Sequence, residues 1–441
     1  MQFLSSKFQL DRHQFWWLAV VNVLSNLMVP LASWVDTAFL GHLSEISHLA
    51  GVAIATVLFN YIYWTFGFLR MGTTGLTAQA KGKGSETEVI LILLRHGAIA
   101  LAIALVILLI QQPLADLSFT LLQADPKVLA SGRDYYHALI YGAPATLLNF
   151  VLLGWFLGQG NAGKVLLLSL VSKGTNIIFD YWFIVRWQLE STGAGAATAI
   201  SQYVTLFLGI VLVLRQISVT NLLRHQAKIW HLPAFKAIFG LNRDILIRTL
   251  ALVSTFAIFT NLSALLGTET LAANTLLLQV VTLAAYFIDG IAFATESIAG
   301  NLQGQGKPEL LRPLLKLAGL TSLVAGLSLA MIFILFPQQL FGLLTNHQSI
   351  LQNLDRYLWW LLPILGFGSI AYMLDGYFLG LTAGKILRQS TLIATVLGFT
   401  PMAIAAYVQN SNSLLWLALA LFMATRAITL GAKIKLEPTS N

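Results

Sequence analysis

The sequence contains no cysteine and little charge of either sign. The absence of cysteine excludes disulfide bonds and thiolate metal sites. Charged residues make up 10% of the 441 residues and hydrophobic residues 57%, whereas a soluble domain averages about 25% charged and about 45–50% apolar residues. So few charges could not cover the surface of a water-soluble protein of this length. The bilayer is therefore the predicted solvent of this chain.

Long stretches free of Asp, Glu, Lys and Arg run through the sequence, among them residues 14–35, 49–69, 138–163 and 320–346. A bilayer core about 30 Å thick is crossed by about 20 apolar helical residues. Because these stretches are continuously apolar rather than alternating, they predict helices and not a β-barrel. The sequence predicts an all-α integral membrane protein with twelve transmembrane helices, over residues 14–38, 48–72, 90–113, 135–158, 165–186, 193–215, 246–267, 270–300, 313–337, 355–381, 387–408 and 412–431.

The 26 Lys and Arg residues are distributed unevenly about these spans. With both termini inside, only four fall on the outer side: Lys127, Arg133, Arg186 and Arg356. Inner loops of membrane proteins are enriched in basic residues, so we expect both termini in the cytoplasm. The same bias explains the net charge of +8 without nucleic acid as a partner.

The longest inner connection, residues 217–245, separates two predicted six-helix bundles at 1–216 and 246–441. Similar residues recur 222 positions apart across four helices: Leu49-Ala50 and Leu271-Ala272, Gly82 and Gly304, Tyr135 and Tyr357, Gly154 and Gly376, Gly158 and Gly380. An even number of spans per copy makes both copies enter the membrane in the same direction. Parallel repeats of this kind are a transporter architecture.

Five carboxylates lie inside predicted spans: Asp36, Asp180, Asp289, Glu296 and Asp375. A charged side chain at the bilayer centre costs at least about 2.5–3.5 kcal/mol, and such residues usually face a water-filled cavity or a partner. The functional interpretation is proton or ion coupling. The alternative is a set of buried structural hydrogen bonds.

The depth of these side chains predicts a polar cluster in the first half. Asp36 lies near the outer end of span 1, and Asp180 lies in the outer half of span 5. Asn176 precedes Asp180 by four residues and shares its helix face. Thr198 lies at a similar depth in span 6. Such an all-oxygen cluster could hold a proton or a hard cation such as Na⁺.

The second half carries its charges at other positions. Asp289 and Glu296 are seven residues apart and share one face of span 8, whereas Asp375 lies deeper, on span 10. We expect these three to form an acidic lining. On span 2, Tyr61 and Trp64 could line a cavity for an organic substrate or face lipid.

Two motifs resemble the multidrug and toxic compound extrusion (MATE) family: Val35–His42 (VDTAFLGH) and Phe68–Ala80 (FLRMGTTGLTAQA). The second motif, with Leu241–Ile245 and Leu374–Gly376, resembles its DNA-damage-inducible F (DinF) branch. The resemblance implies two pseudo-symmetric six-helix bundles around a central cavity. It also implies export of organic cationic or amphiphilic compounds in exchange for inward H⁺ or Na⁺, with no further cofactor. We expect a monomer in the bacterial cytoplasmic membrane, with lipid and a small-molecule substrate as its partners.

The resemblance also implies roles for particular residues. Asp36 matches the helix-1 carboxylate whose protonation or ion binding bends that helix in the family. Asn176, Asp180 and Thr198 match the first-half cation cluster, with Tyr135 beside it. Asp375 matches the second-half carboxylate assigned to substrate or cation.

Two positions depart from the family pattern. Val21 stands where the family has a proline in the first half of helix 1, and Pro30 lies later. Lys173 lies three residues before Asn176, and either extends towards the inner surface or supplies an internal counter-charge to the carboxylates.

Rival functions have weaker support in the sequence. A flippase for lipid-linked precursors would need a basic cavity, whereas the second-half carboxylates predict an acidic one. We expect no enzyme, since no metal motif or nucleophile–base pair is evident. Aspartates coordinate either ion, and we expect H⁺ rather than Na⁺.

Overall fold

A computed structural model describes residues 11–41, 43, 45–120, 124–225, 228–342 and 354–434. His42 of the first motif and the outermost residues of both predicted bundles, 1–10 and 435–441, lie outside these ranges. The described residues form helices and no strand.

Eleven described helices are long and apolar enough to cross a membrane, and a bent helix pair makes a twelfth span. In chain order they are α1 (Arg12–Gly41), α2 (Ser47–Gly82), α3 (Glu86–Leu109), α4 (Pro126–Ile140 with Ala143–Gly158, bent by 56°), α5 (Ala162–Arg186), α6 (Glu190–Gln216), α7 (Leu232–Leu265), α8 (Thr268–Gly304), α9 (Pro308–Leu335), α10 (Leu358–Gly380), α11 (Gly384–Val408) and α12 (Asn412–Ile434). The predicted all-α membrane fold with twelve spans is confirmed.

The predicted connection at 217–245 is largely helical. It contains a short helix at Val219–His225, and α7 begins at Leu232 rather than near residue 246. Ile238 and Ile245 are buried on the early part of α7. Lys236, Arg243 and Asp244 lower the hydropathy of this segment, which is why hydropathy predicts a later start.

The contacts divide the chain into two compact units. Unit 1 contains Met1–Val23 and Phe239–Asn441, and unit 2 contains Leu24–Ile238. The limits of the units therefore fall inside α1 and α7. The predicted bundle limits, which follow the connection between spans 6 and 7, stay a prediction.

Each unit is held together by a few extensive helix contacts. In unit 2, α2 consists of two segments, Ile46–Thr65 and Phe68–Gly82. The first packs on the first segment of α4 and the second on the second segment of α4. Helix α6 packs on α5 and on the first segment of α4. In unit 1, α10 packs on α8, α9 and α12.

Pro30 lies inside the continuous helix α1, and Val21 is buried.

Candidate functional site

Asn176 and Asp180 form the buried base of a polar cluster in unit 2. They are four residues apart on α5, which places them one above the other on one face. The Asn176 side-chain Nδ2 donates to Asp180 Oδ2 at 2.7 Å. Asp180 is 1% exposed, and the helix continues into a π-helical turn at Tyr181–Arg186 directly after it. π-Helical turns are frequent at functional sites.

The carboxyl group of Asp36 is hydrogen-bonded to that of Asp180. Asp36 reaches this position from α1 and is half-buried. Two carboxyl groups can share a hydrogen bond only when one of them is protonated, because two carboxylates offer only acceptors. The Oδ1 atom of Asp36 has no hydrogen-bond partner among the described residues. The pair is therefore a candidate proton-binding group.

Tyr135 connects this carboxyl pair to two hydroxyl side chains. It is buried on the first segment of α4, within electrostatic reach of Asp36 and Asp180. Its hydroxyl group interacts with those of Thr198 on α6 and Thr56 on α2. The structure thus brings together all five side chains predicted for the first-half cluster. Thr56 is an additional member that hydropathy and spacing did not single out.

Lys173 lies within electrostatic reach of both aspartates. It is half-buried on α5, about two turns before Asp180. Of the two interpretations left open by the sequence, this position favours the internal counter-charge over extension towards the inner surface. A charged ammonium and one carboxylate balance when the second carboxyl is protonated.

Asp375 in unit 1 is an ion-pair residue. Its Oδ2 accepts hydrogen bonds from Arg248 on α7 and from Arg426 on α12. All three side chains are buried, and Arg426 is 0% exposed. The Arg426 guanidinium also lies over the ring of Tyr372, 5.2 Å from its centroid. Removing the carboxylate would leave buried guanidinium groups without their partner, and removing the guanidinium groups would leave a buried carboxylate without its partners. Either loss is strongly unfavourable.

Sequence reasoning missed both arginines. Each lies near a predicted inner helix end, where a basic side chain ordinarily extends to the membrane surface. Their pairing with Asp375 joins positions 127 and 51 residues apart, and no local pattern in the sequence reports such contacts. Two guanidinium groups bind the Asp375 carboxylate, and the expected acidic lining stays a prediction.

Asp289 and Glu296 both lie on the single helix α8, as expected. Asp289 is half-buried and within electrostatic reach of Arg248 and Tyr372, so it belongs to the same charged network as Asp375. Glu296 is fully buried. The charges of Asp289 and Asp375 balance those of Arg248 and Arg426.

Tyr61 and Trp64 share an exposed face of α2, with exposed fractions of 50% and 56%. Both could therefore meet lipid or a dissolved organic molecule. The neighbouring Tyr63 instead stacks on Phe59, whose ring also contacts Tyr135. Exposure alone does not separate the two predicted roles of Tyr61 and Trp64.

Comparisons with known proteins agree with this architecture. The MatE family model matches residues 22–182 and 245–425. DNA damage-inducible protein F of Escherichia coli is 34% identical over 419 residues, which are 95% of this chain and 90% of that protein. A probable multidrug resistance protein NorM of Thermotoga maritima is 23% identical over 76% of this chain and 72% of that protein.

Solved structures show the same fold at low sequence identity. One is a MOP superfamily transporter from Pyrococcus furiosus, described as having a binding pocket of reverse polarity that suggests a different function. Another is a multidrug resistance MATE family transporter in an outward-facing conformation. Each aligns with a TM-score of 0.87 and 20% identity, over 97% of this chain and 96% of the other.

Proposed function

Because the chain belongs to the MATE family, we propose that it is a cation-coupled antiporter that exports organic cationic or amphiphilic compounds. The two family-model segments cover both halves of the chain, which confirms the resemblance of the motifs. The family consists of transporters, and several relatives are named probable multidrug resistance proteins.

The hydrogen-bonded pair of Asp36 and Asp180 carries this proposal. It is a proton-binding group at a depth where unpaired carboxylates are costly. A driving ion can shift a conformational equilibrium only through different affinities for the two states. Protonation of the pair from outside and its deprotonation inside would supply that difference. Substrate leaves on the outside as the cluster takes up the ion.

Lys173 favours H⁺ over Na⁺ as the coupling ion. The Lys173 ammonium group near the two carboxyl groups repels a metal cation such as Na⁺, whereas a proton binds by forming a covalent O–H bond. Asn176, Thr198 and Tyr135 supply the oxygen and amide groups that would otherwise complete a Na⁺ site. Loss of Lys173 should therefore weaken the preference for H⁺.

The basic residues give the proposed orientation. With both termini in the cytoplasm, the carboxyl pair is reached from the periplasmic side. We place the chain in the bacterial cytoplasmic membrane as a monomer, with small organic molecules and lipid as its partners. The similarity to a protein of Escherichia coli supports a bacterial location.

Substrate-driven proton release from proteoliposomes tests the proposal. Wild-type protein should release protons on addition of a fluorescent organic cation, with or without Na⁺. Asp36→Asn and Asp180→Asn should reduce this signal to background. Asp116→Asn, which removes an exposed carboxylate paired with Arg133 at 3.0 Å, is the matched control and should keep it. Equal release by wild type and Asp36→Asn would exclude the proposed coupling role of Asp36.

A second candidate is a flippase for amphiphiles with an anionic headgroup. The buried Arg248 and Arg426 support it, because they supply the basic groups that such cargo needs. Their charges are balanced by Asp375 and Asp289, which leaves no net positive charge for an anion. Export of cationic or neutral amphiphiles therefore fits the charges of unit 1 better. Competition by an anionic lipid analogue in the same proteoliposomes would favour the flippase.

A further inference from the structure

His48 joins three helices at the end of unit 2 that we expect to face outside. Its Nδ1 lies 3.0 Å from Ser191 Oγ on α6 and 3.1 Å from Ser131 Oγ on α4. Its Nε2 lies 3.0 Å from Glu190 Oε2. The His48 side chain is 14% exposed and that of Glu190 is 50% exposed. These four residues form the outer polar layer.

The same three helices carry the hydroxyl groups of the coupling cluster. Thr56 follows His48 on α2, Tyr135 follows Ser131 on α4, and Thr198 follows Ser191 on α6. At 1.5 Å per residue, these positions are about 6 to 12 Å further along their helices. The Tyr135 hydroxyl group interacts with those of Thr56 and Thr198. An inner polar layer therefore repeats the helix partners of the outer one.

Close backbone packing links the two layers. A Cβ on Gly51 would lie 2.7 Å from the backbone nitrogen of Gly132, so α2 and α4 touch between the layers. A Cβ on Gly195 would lie 2.6 Å from the backbone oxygen of Tyr135, so α4 and α6 also touch. Tight packing transmits displacement because it leaves no free volume. Close contacts between α2, α4 and α6 therefore connect the outer layer to Tyr135 and Thr198.

Charged groups surround His48 in the outer layer. Glu190 contacts it directly, and Glu45, three residues before it, pairs with Lys127 on α4 at 3.7 Å. Histidine is the side chain that ordinarily changes charge near neutral pH. A protonated imidazole forms an ion pair with Glu190, and a neutral one forms only a hydrogen bond.

We propose that His48 and Glu190 form an external proton-responsive site that positions Tyr135 and Thr198 and so sets the dependence of transport on outside pH. This inference rests on the proposed function. His48 is a positioning residue, since it acts on the carboxyl pair only through α2, α4 and α6.

The test compares transport at different external pH in proteoliposomes. His48→Gln and Glu190→Gln keep hydrogen-bonding groups but lose the proton-dependent ion pair. A partly exposed ion pair changes an equilibrium by up to about fivefold. We expect the ratio of rates at low and neutral external pH to change about two- to fivefold in each variant, and no further in the double variant.

Arg133→Gln is the matched control. Arg133 lies next to the outer layer on α4 but pairs with Asp116, so its replacement should leave the pH profile unchanged. Identical profiles for wild type, His48→Gln and Glu190→Gln would overturn the inference. A uniform loss of rate at every pH would also overturn it, because that is the effect of a purely structural residue.

A second measurement does not depend on transport. The difference in unfolding temperature between wild type and His48→Gln should vary with pH between about 5 and 8, and a constant difference would contradict the inference. If wild-type protein moves no protons with substrate, the proposed function fails while this measurement still tests the outer layer. Glu190→Gln, at a more exposed position, serves if His48→Gln does not fold.

Discussion

Gly376 on α10 lies against the backbone of Ala292 on α8, where a Cβ would stand 2.3 Å from the Ala292 oxygen. Gly154 on α4 has the same relation to Arg70 on α2, at 2.4 Å. The two positions of one contact lie 222 residues from the two positions of the other. The internal repeat seen in the sequence is therefore also a repeat of helix packing, found separately in each unit.

Gly376→Ala should destabilise the protein, because the added methyl group would force α8 and α10 apart. Overpacking of this kind costs about 1–3 kcal/mol, which should appear as a lower unfolding temperature in detergent. Gly431→Ala on α12 is the control, since no atom lies within 4 Å of its Cβ position. Alanine there should be neutral or stabilise by up to about 1 kcal/mol. Equal unfolding temperatures for the two variants would contradict the packing argument.

Sequence reasoning found the repeat because glycine in a transmembrane helix indicates a close contact with a neighbouring helix. The two copies have such glycines at the same helix positions. It found the first-half cluster because Asp36, Asn176 and Asp180 are polar residues at one depth in apolar spans. Depth along a helix follows directly from residue number, so this site could be predicted without coordinates.

The charge balance of unit 1 could not be predicted in the same way. Arg248 and Arg426 lie near helix ends predicted from hydropathy, where basic residues are ordinary, and their burial depends on how α7, α10 and α12 pack. His48 was missed for a similar reason. Its three partners lie on α4 and α6, and a lone histidine near a helix start carries no pattern of its own.

Asp375→Asn should destabilise unit 1 strongly. It would leave Arg248 and Arg426 buried beside a neutral side chain, and breaking a buried pair costs about 3–5 kcal/mol. Unfolding of the purified protein would measure this loss. Asp116→Asn should cost at most about 1 kcal/mol, because its ion pair with Arg133 is exposed.

Adding Arg426→Leu to Asp375→Asn should recover part of the stability, since it removes a buried positive charge that Asp375 no longer balances. A double variant no more stable than Asp375→Asn would show that Arg426 does not depend on Asp375 for its burial. Its stacking on Tyr372 and Phe422 would then account for its position.

Tyr135→Phe should slow transport without unfolding the protein. The substitution keeps the ring but removes the hydroxyl group that interacts with Thr56 and Thr198. Loss of a hydrogen bond contributes about 0.5–1.5 kcal/mol, so the rate at a fixed proton gradient should fall by up to about tenfold. Efflux of a fluorescent organic cation from proteoliposomes measures it.

Tyr136→Phe controls for the loss of a buried tyrosine hydroxyl. Tyr136 is the next residue, fully buried, and its hydroxyl donates to the backbone oxygen of Gln111 at 2.9 Å. This variant should lose a similar amount of stability and keep the wild-type rate. A similar loss of rate in both variants would indicate a packing effect rather than a role of Tyr135 in the cluster.

Lys173→Met should change the ion that drives transport. The variant removes the tethered cation from the neighbourhood of Asp36 and Asp180, so a Na⁺ ion entering the cluster no longer meets a positive charge. The carboxyl, amide and hydroxyl oxygens present there suit a hard cation. We expect an inward Na⁺ gradient at equal pH to drive efflux in Lys173→Met and not in wild type. Lys164→Met on the same helix, where the lysine bonds Gln216 Oε1 at 2.7 Å, should retain the wild-type ion preference. Unaltered preference in Lys173→Met would mean that its ammonium does not act as the counter-charge of the carboxyl pair.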